Sequence, residues 1–209
     1  MSELYDRAYF EEGFAAGVSC YTNYTWLPEF TIPLAHRLIQ TLPIAPSARV
    51  LDYGCAKGFL VRALRLLDVD AYGCDISRYA LSESESAVRP FLCQSSGPAI
   101  PFRHSFDWVI AKDVLEHLEK TELTLFLKDA LEKSSRLFIV VPLGDGAGRY
   151  VAPQYEMDKT HRIREPLVWW TSELEKCGWK VKTATTNVKG IKDSWAHYEG
   201  ANGVVIAHG

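Results

Sequence analysis

The stretch "RVLDYGCAKGFL", residues 49–60, constrains the fold of this chain more than any other. An apolar, β-prone start gives way to glycines and then to helical spacing, with Phe59, Leu60, Ala63, Leu64 and Leu67 on one face. A strand that runs through a glycine turn directly into a helix is the opening unit of a parallel, doubly wound sheet. Gly54 permits a sharp turn and close approach of the backbone to a ligand, and Gly58 lets the helix start pack tightly on the strand. Taken alone, such a turn fits a plain strand–helix connection as well as a nucleotide cradle.

The alternation continues along the chain. "VDAYGCDIS" (69–77) reads as a second strand, "ISRYALSES" as a short helix, "PFLCQ" (90–94) as a third strand and "FDWVIAKDV" (106–114) as a fourth. "LEHLEKTELTLFLKDALEKS" reads as one helix, and "SRLFIVVPLG" (135–144) as a fifth strand, apolar almost throughout as buried parallel strands are. A helix over about 165–178 stops at Gly178, a C-cap position. "WKVKTATTNV" and "NGVVIAH" follow with no helix signal between them, which predicts an antiparallel pair at one edge. Upstream, "LPEFTIPLAHRLIQTL" has helical spacing from about 31 to 42. The predicted fold is α/β: a doubly wound, mainly parallel seven-stranded sheet with helices on both faces and the last strands antiparallel. No repeat or linker interrupts it. One domain over 1–209 is therefore expected, with an aromatic, helical cap (1–45), a cofactor-binding half (46–145) and a substrate-side half (146–209).

A hydrophobic content of 47% can fill such a core, which removes disorder from consideration. The net charge of −3 argues against a nucleic-acid partner, since backbone binding rests on neutralising phosphates. "MSELYDRAYFEEG" lacks the basic flank and apolar run of a signal peptide, and no apolar stretch approaches a membrane span. Cysteines 20, 55, 74, 93 and 177 are scattered without a CxxC, so reduced thiols, a cytoplasmic setting and no metal are expected.

Asp52 narrows the cofactor. A dinucleotide sets its pyrophosphate on the helix N-terminus, and a carboxylate beside it would repel that anion. S-adenosyl-L-methionine has an ammonium and a sulfonium and no phosphate, so it tolerates Asp52. Its ribose needs an acidic partner, and Asp75 closes the second strand about 20 residues beyond Gly54, the spacing for a carboxylate on ribose hydroxyls. Asp75 alone would equally serve as a helix N-cap for "ISRYAL". No GxxxxGK[ST] occurs, which excludes a P-loop.

"VLDYGCAKG", "AYGCDIS", "FDWVIAKDVLEHL" and "LFIVVPLGD" resemble, in order and spacing, the successive motifs of the class I S-adenosylmethionine-dependent methyltransferases. The resemblance is strong over 48–145 and looser over "DKTHRIREPLVWWTSELEKCGWKV". It implies that Gly54, Cys55 and Gly58 line the methionine moiety and ribose, and that Asp52 binds the amino group directly or through water. It further implies Asp75 on the ribose, Ile76 against the adenine, and Gln94 and Ser95 at the adenine edge. Lys112, Asp113 and Val114 would end the fourth strand under the methionine, with His117 a turn further on, either in the site or capping and packing. Ala56 replaces the middle glycine of the family's GxGxG, which is harmless if its φ is negative.

The acceptor side is less constrained. "AKDVLEHL" stands where nucleobase and glutamine N-methyltransferases carry an Asn/Asp-Pro-Pro-aromatic run, and there is no Pro-Cys dipeptide for attack on cytosine. The loop "PLGDGAGRYVAPQYEMDKTHRIREP" offers His161 as a base oriented by Asp158, and Arg162 and Arg164 for a substrate phosphate or carboxylate. The alternative for His161 is a loop histidine that caps a helix or packs on Trp169 and Trp170, and for the arginines a solvated surface. Tyr21, Tyr24 and Trp26 would form a lid with π faces near the sulfonium or cover one sheet edge. "VSCYTNYTWLPEF" is similar to the N-terminal part of small methyltransferases of bacterial sugar or polysaccharide pathways. A small-molecule or sugar acceptor, methylated at oxygen, is the expectation. A nicotinamide oxidoreductase and a non-catalytic partner subunit of the same fold are the alternatives; Asp52 counts against the first, the intact motifs against the second.

Overall fold

The computed structural model describes residues 2–209. Its strands are β1 (Arg49–Tyr53), β2 (Asp70–Asp75), β3 (Leu92–Gln94), β4 (Trp108–Lys112), β5 (Arg136–Pro142), β6 (Lys180–Thr186) and β7 (Asn202–His208). They form one sheet in the order β3-β2-β1-β4-β5-β7-β6. The first five are parallel, and β7 runs antiparallel to both β5 and β6. The helices are α1 (Arg7–Glu11), α2 (Gly13–Ala16), α3 (Pro28–Thr41), α4 (Phe59–Leu66), α5 (Arg78–Ser82), α6 (Lys120–Lys133) and α7 (Leu167–Lys176). The doubly wound, mainly parallel seven-stranded sheet read from the alternation is the fold observed.

Successive side chains of a strand point to opposite faces, and both faces here are covered. Leu137, Ile139 and Val141 of β5 join the core that holds Phe126 and Leu127 of α6 and Trp170 and Leu174 of α7. Phe138 and Val140 join the opposite core with Leu38 of α3 and Val61 and Leu64 of α4. Each such buried side chain contributes about 1.5–3 kcal/mol, which is why β5 carries no polar interruption. Edge strand β6 is largely exposed and rich in Lys and Thr. Among the described residues, no helix is long and apolar enough to cross a membrane.

The single helix expected over "LEHLEKTELTLFLKDALEKS" is broken. Leu115–His117 form one 3₁₀ turn, Leu118 is extended, and α6 begins at Lys120 with Glu119 as N-cap. Glu119 and Glu122 form a reciprocal capping box that satisfies the helix's first N–H groups, so a new helix starts there. The break leaves Glu116 and His117 beyond the carboxyl end of β4 instead of on a helix face.

Sheet order reverses at β1, with β2 on one side and β4 on the other. Ligands of open α/β sheets bind beyond the strand ends at this point. The N-terminal segment folds over it: Tyr9 and Phe10 are buried with Tyr5, Tyr21, Tyr24, Tyr79, Ala56 and Ala80.

Candidate active site

The turn after β1 is close-packed. Gly54 has φ 80°, and a Cβ there would lie 2.4 Å from Val114 Cγ2. Gly58 has φ 76°, and its Cβ would meet Leu92 Cδ1 at 2.8 Å. Ala56 departs from expectation: its φ is 48°, in the left-handed region. The strain, about 1–2 kcal/mol, is held in place by its N–H, which donates to Asp75 Oδ2 at 2.7 Å.

Asp75 Oδ1 accepts from Ser77 N–H at 2.7 Å. The N-cap of α5 is Ser77, whose hydroxyl accepts from Ala80 N–H at 2.9 Å, so Asp75 is not spent on capping. Burial raises the Asp75 pKa, opposed by hydrogen bonds from the Ser77, Ala56 and Ile76 N–H groups. Each carboxylate oxygen retains a lone pair for a ligand hydroxyl. Asp52 is only 5% exposed, and no described residue donates a hydrogen bond to its side chain. Burial, then the charge of Asp75, pushes it up to about 7, with Lys112 opposing. A buried, unpartnered carboxylate of this kind favours a cationic ligand nearby.

A cleft of about 780 Å³, including its open mouth, lies between these groups and the cap. Gly54, Ala56, Asp75 and Ile76 line it from the ends of β1 and β2, Ser95, Gly97 and Pro98 from the segment after β3, and Asp113, Val114 and His117 from beyond β4. Tyr5, Tyr9, Phe10 and Tyr21 line it from the cap. Other residues singled out in the sequence lie outside the lining. Cys55 is buried against Gly73, Gly58 packs on Leu92, and Gln94 is exposed with its amide 3.4 Å from the Ile76 carbonyl. Lys112 turns its ammonium onto Asp113 Oδ2 (2.6 Å), and Lys192 takes Asp113 Oδ1 (2.7 Å). Burial works to raise the Asp113 pKa, but these two ammonium groups hold it far below the usual carboxylate range. Tyr24 and Trp26 pack on Phe59 of α4. Arg162 and Arg164 pair with Glu119 (3.6 Å) and Glu156 (3.1 Å).

His117 and His161 sit ring to ring, with centroids 4.7 Å apart. His161 packs against Tyr150 and Tyr155, not Trp169 and Trp170, and it lies outside the cleft lining, behind His117. Its orienting partner is the Tyr155 carbonyl, 3.0 Å from Nδ1. Asp158 does not hold it: the Tyr9 hydroxyl donates to Asp158 Oδ2 (2.8 Å), and the Thr160 N–H and hydroxyl donate to Oδ1 (2.9 and 2.6 Å). His117 Nδ1 lies 2.8 Å from Thr160 Oγ1. Burial, then His161, lowers the His117 pKa to about 4, and burial lowers that of His161. Burial, then Asp113, raises Glu116 well above its usual range.

Sequence reasoning missed Tyr5, Tyr9, Lys57, Glu116, Thr160 and Lys192. Lys57, 8% exposed, donates to Glu11 Oε1 (2.5 Å) and to the Tyr24 carbonyl (2.7 Å), tying the cap to the turn. The signal for that tie was a lone lysine inside a glycine turn facing an acidic N-terminus.

Fold, strand order and a carboxylate-bearing cleft at the switch point define the class I methyltransferase architecture. Residues 51–136 match a family model described as a methyltransferase domain. No curated protein matches the chain. The glycopeptide N-methyltransferase MtfA complexed with sinefungin is similar at 14% identity, over 83% of this chain and 84% of its own, with a TM-score of 0.63. The same enzyme complexed with S-adenosyl-L-methionine gives 13% identity, 83% and 86% coverage, and a TM-score of 0.62. A methyltransferase dependent on the same cofactor, from Archaeoglobus fulgidus, gives 18%, 87% and 97%, and 0.61. At these identities the solved structures establish the fold, and the match over 51–136 marks that segment as similar to a methyltransferase domain. The chain as a whole thus has the fold of S-adenosyl-L-methionine-dependent methyltransferases. Asp52 without a partner and Asp75 with free lone pairs, set around Gly54, suit that cofactor.

Proposed function

We propose that this protein methylates a hydroxyl oxygen of a small-molecule or sugar acceptor. When bound, the cofactor supplies an electrophilic methyl group on sulfur, displaced in line by the acceptor, so the protein mostly positions. Asp75 holds the ribose hydroxyls, Ile76, Ser95 and Pro98 border the adenine, and Gly54 lets the backbone approach. Asp52 lies behind the lining and acts on the ammonium through its charge or a bridging water. The cap residues Tyr5, Tyr9, Phe10 and Tyr21 exclude water and limit the acceptor to a small group. Supporting a closed cap are the Lys57 contacts and the Ser77 hydroxyl, which donates to the Tyr5 carbonyl. The five free cysteines support a reducing, cytoplasmic setting. The acting unit is the whole of 1–209.

The oxygen assignment rests on His117, a neutral imidazole in the cleft wall backed by His161 and Glu116. An amine acceptor need only be neutral, whereas a hydroxyl needs a group that takes its proton or stabilises the alkoxide. Lone pairs clustered at this wall can receive a proton or hold a cation that performs the second task. The test is methyl transfer from labelled cofactor to sugars, nucleotide-sugars and phenols, set against matched amines. Hydroxyl acceptors should yield O-methyl products; turnover confined to the amines would overturn the assignment.

A further inference from the structure

We propose that Glu116, His117 and His161 form a binding site for one divalent transition-metal ion in the wall of the cleft. A ligand atom from each lies within 4.8 Å of the others. Their orientation is what points to a metal. His161 Nδ1 faces the Tyr155 carbonyl, which can only accept, so Nδ1 carries the hydrogen and Nε2 is a bare lone pair. Thr160 Oγ1 gives its hydrogen to Asp158 Oδ1, so His117 Nδ1 must donate to Oγ1 and its Nε2 is bare as well. Glu116 is 1% exposed and its Oε2 has no hydrogen-bond partner. Its Oε1 lies 3.9 Å from His161 Nε2, and Asp158 Oδ2 lies 4.0 Å from the same nitrogen.

The bare Nε2 of His161 and the Glu116 carboxyl therefore face each other at 3.9 Å, too long for a hydrogen bond, with a ring nitrogen of His117 within 4.8 Å of both; an arriving cation takes the place of the carboxyl proton. The nearby ammonium of Lys192 is engaged by Asp113. A cation is the group that satisfies all of them. Histidines that ligate metals almost always donate their other ring N–H to a carbonyl, a carboxylate or water, which fixes tautomer and ring plane. His161 does so to Tyr155, and His117 does so through Thr160 to Asp158. Ligand atoms ~2.0–2.2 Å from a shared ion lie roughly 3–3.5 Å apart, so binding draws these groups together by about 1 Å. The 3₁₀ turn carrying Glu116 and His117 is joined to the loop carrying His161 by the Arg162 and Ile163 N–H groups, which donate to the Glu116 carbonyl and keep the ligands on adjoining backbone. Two imidazoles with one carboxylate select manganese, iron, cobalt or zinc over magnesium or calcium.

His117 lines the cleft, so the remaining coordination positions are available to an acceptor hydroxyl. Coordination lowers the hydroxyl's pKa and its proton leaves to water; the C–O bond then forms as the C–S bond breaks, its electron pair staying on the thioether sulfur. That role rests on the methyl-transfer reading, while the site itself does not. Cysteine spacing could not reveal it, because the histidines come from loops after different strands.

The experiment is titration of the EDTA-dialysed full chain with Co²⁺, followed by its visible absorption and by thermal melting, with homocysteine-cofactor (S-adenosylhomocysteine) binding measured in parallel. The wild type should saturate at one equivalent with micromolar affinity and gain thermal stability. E116Q and H161Q should each weaken Co²⁺ binding at least ~100-fold, and T160V roughly 10–100-fold as the loss of an orienting partner, with S-adenosylhomocysteine affinity kept. No saturable Co²⁺ binding up to millimolar concentration, or folded variants that bind as the wild type does, would overturn the site. Should E116Q not fold, the wild-type titration and T160V decide. Metal binding without S-adenosylhomocysteine binding would sink the methyl-transfer reading and leave the site standing.

Discussion

The two walls of the cleft solve the same problem, a polar group held beyond a strand end, by different means. On the donor wall, short runs of sequence do the work: Gly54–Gly58 after β1, and Asp75–Ser77 after β2, linked by the Ala56 N–H to Asp75 bond. The acceptor wall is assembled from far apart. Tyr9 comes from the cap, Glu116 and His117 from beyond β4, Asp158, Thr160 and His161 from the loop after β5, and Lys192 from the loop before β7. A donor wall made of backbone turns binds one invariant cofactor. An acceptor wall made of loop side chains can change its substrate without disturbing the sheet.

The difference can be broken from the donor side first. G54A places a residue at φ 80° with its Cβ 2.4 Å from Val114. A loss of about 3 kcal/mol or more is expected, or roughly 6–12 °C in Tm, together with loss of cofactor binding; melting and calorimetry read both. D75N is the next largest. It keeps an acceptor for the turn but removes the charge, and should weaken S-adenosylhomocysteine roughly 10–100-fold, the worth of charge-assisted bonds. Co²⁺ binding on the other wall should be unmoved. If it weakens equally, the walls are not independent.

Asp52 sharpens the comparison through pH. Its folded pKa of about 7 stands above the ordinary 3.8, so ionising it costs the folded state more than the unfolded one. Asp52 therefore takes stability from the apo protein as pH rises from about 4 to 7, by at most on the order of 4 kcal/mol. D52N should remove its own share of that slope in pH-dependent melts, leaving the parts that Asp75 and Glu116, shifted in the same direction, contribute. Bound S-adenosylhomocysteine, with its ammonium, should flatten it too. The smallest effect is A56G: relief of left-handed strain, about 1–2 kcal/mol, is offset by the looser unfolded chain, about 0.4–1 kcal/mol. A Tm gain of no more than about 6 °C is expected.

The same contrast explains what the sequence disclosed. Strand–helix alternation and the apolar run of β5 are properties of continuous segments, so the sheet and its antiparallel edge were legible. The place of Asp75 beside the first turn was legible because it closes a continuous strand segment next to that turn. The break at Leu118 was hidden because helical spacing runs through it, and only the Glu119–Glu122 pair marks the restart. The φ of Ala56 was hidden because alanine carries no left-handed signature; the turn and Asp75 impose it. Asp158 and His161 were found as residue types but paired wrongly, since their partners Tyr9 and the Tyr155 carbonyl depend on how loops cross in space.

A crystal structure with S-adenosylhomocysteine tests both walls at once. The account predicts ribose hydroxyls on the Asp75 carboxylate and the sulfur turned so that the vacated methyl position faces His117. A ribose held away from Asp75, or a sulfur facing away from His117, would contradict it.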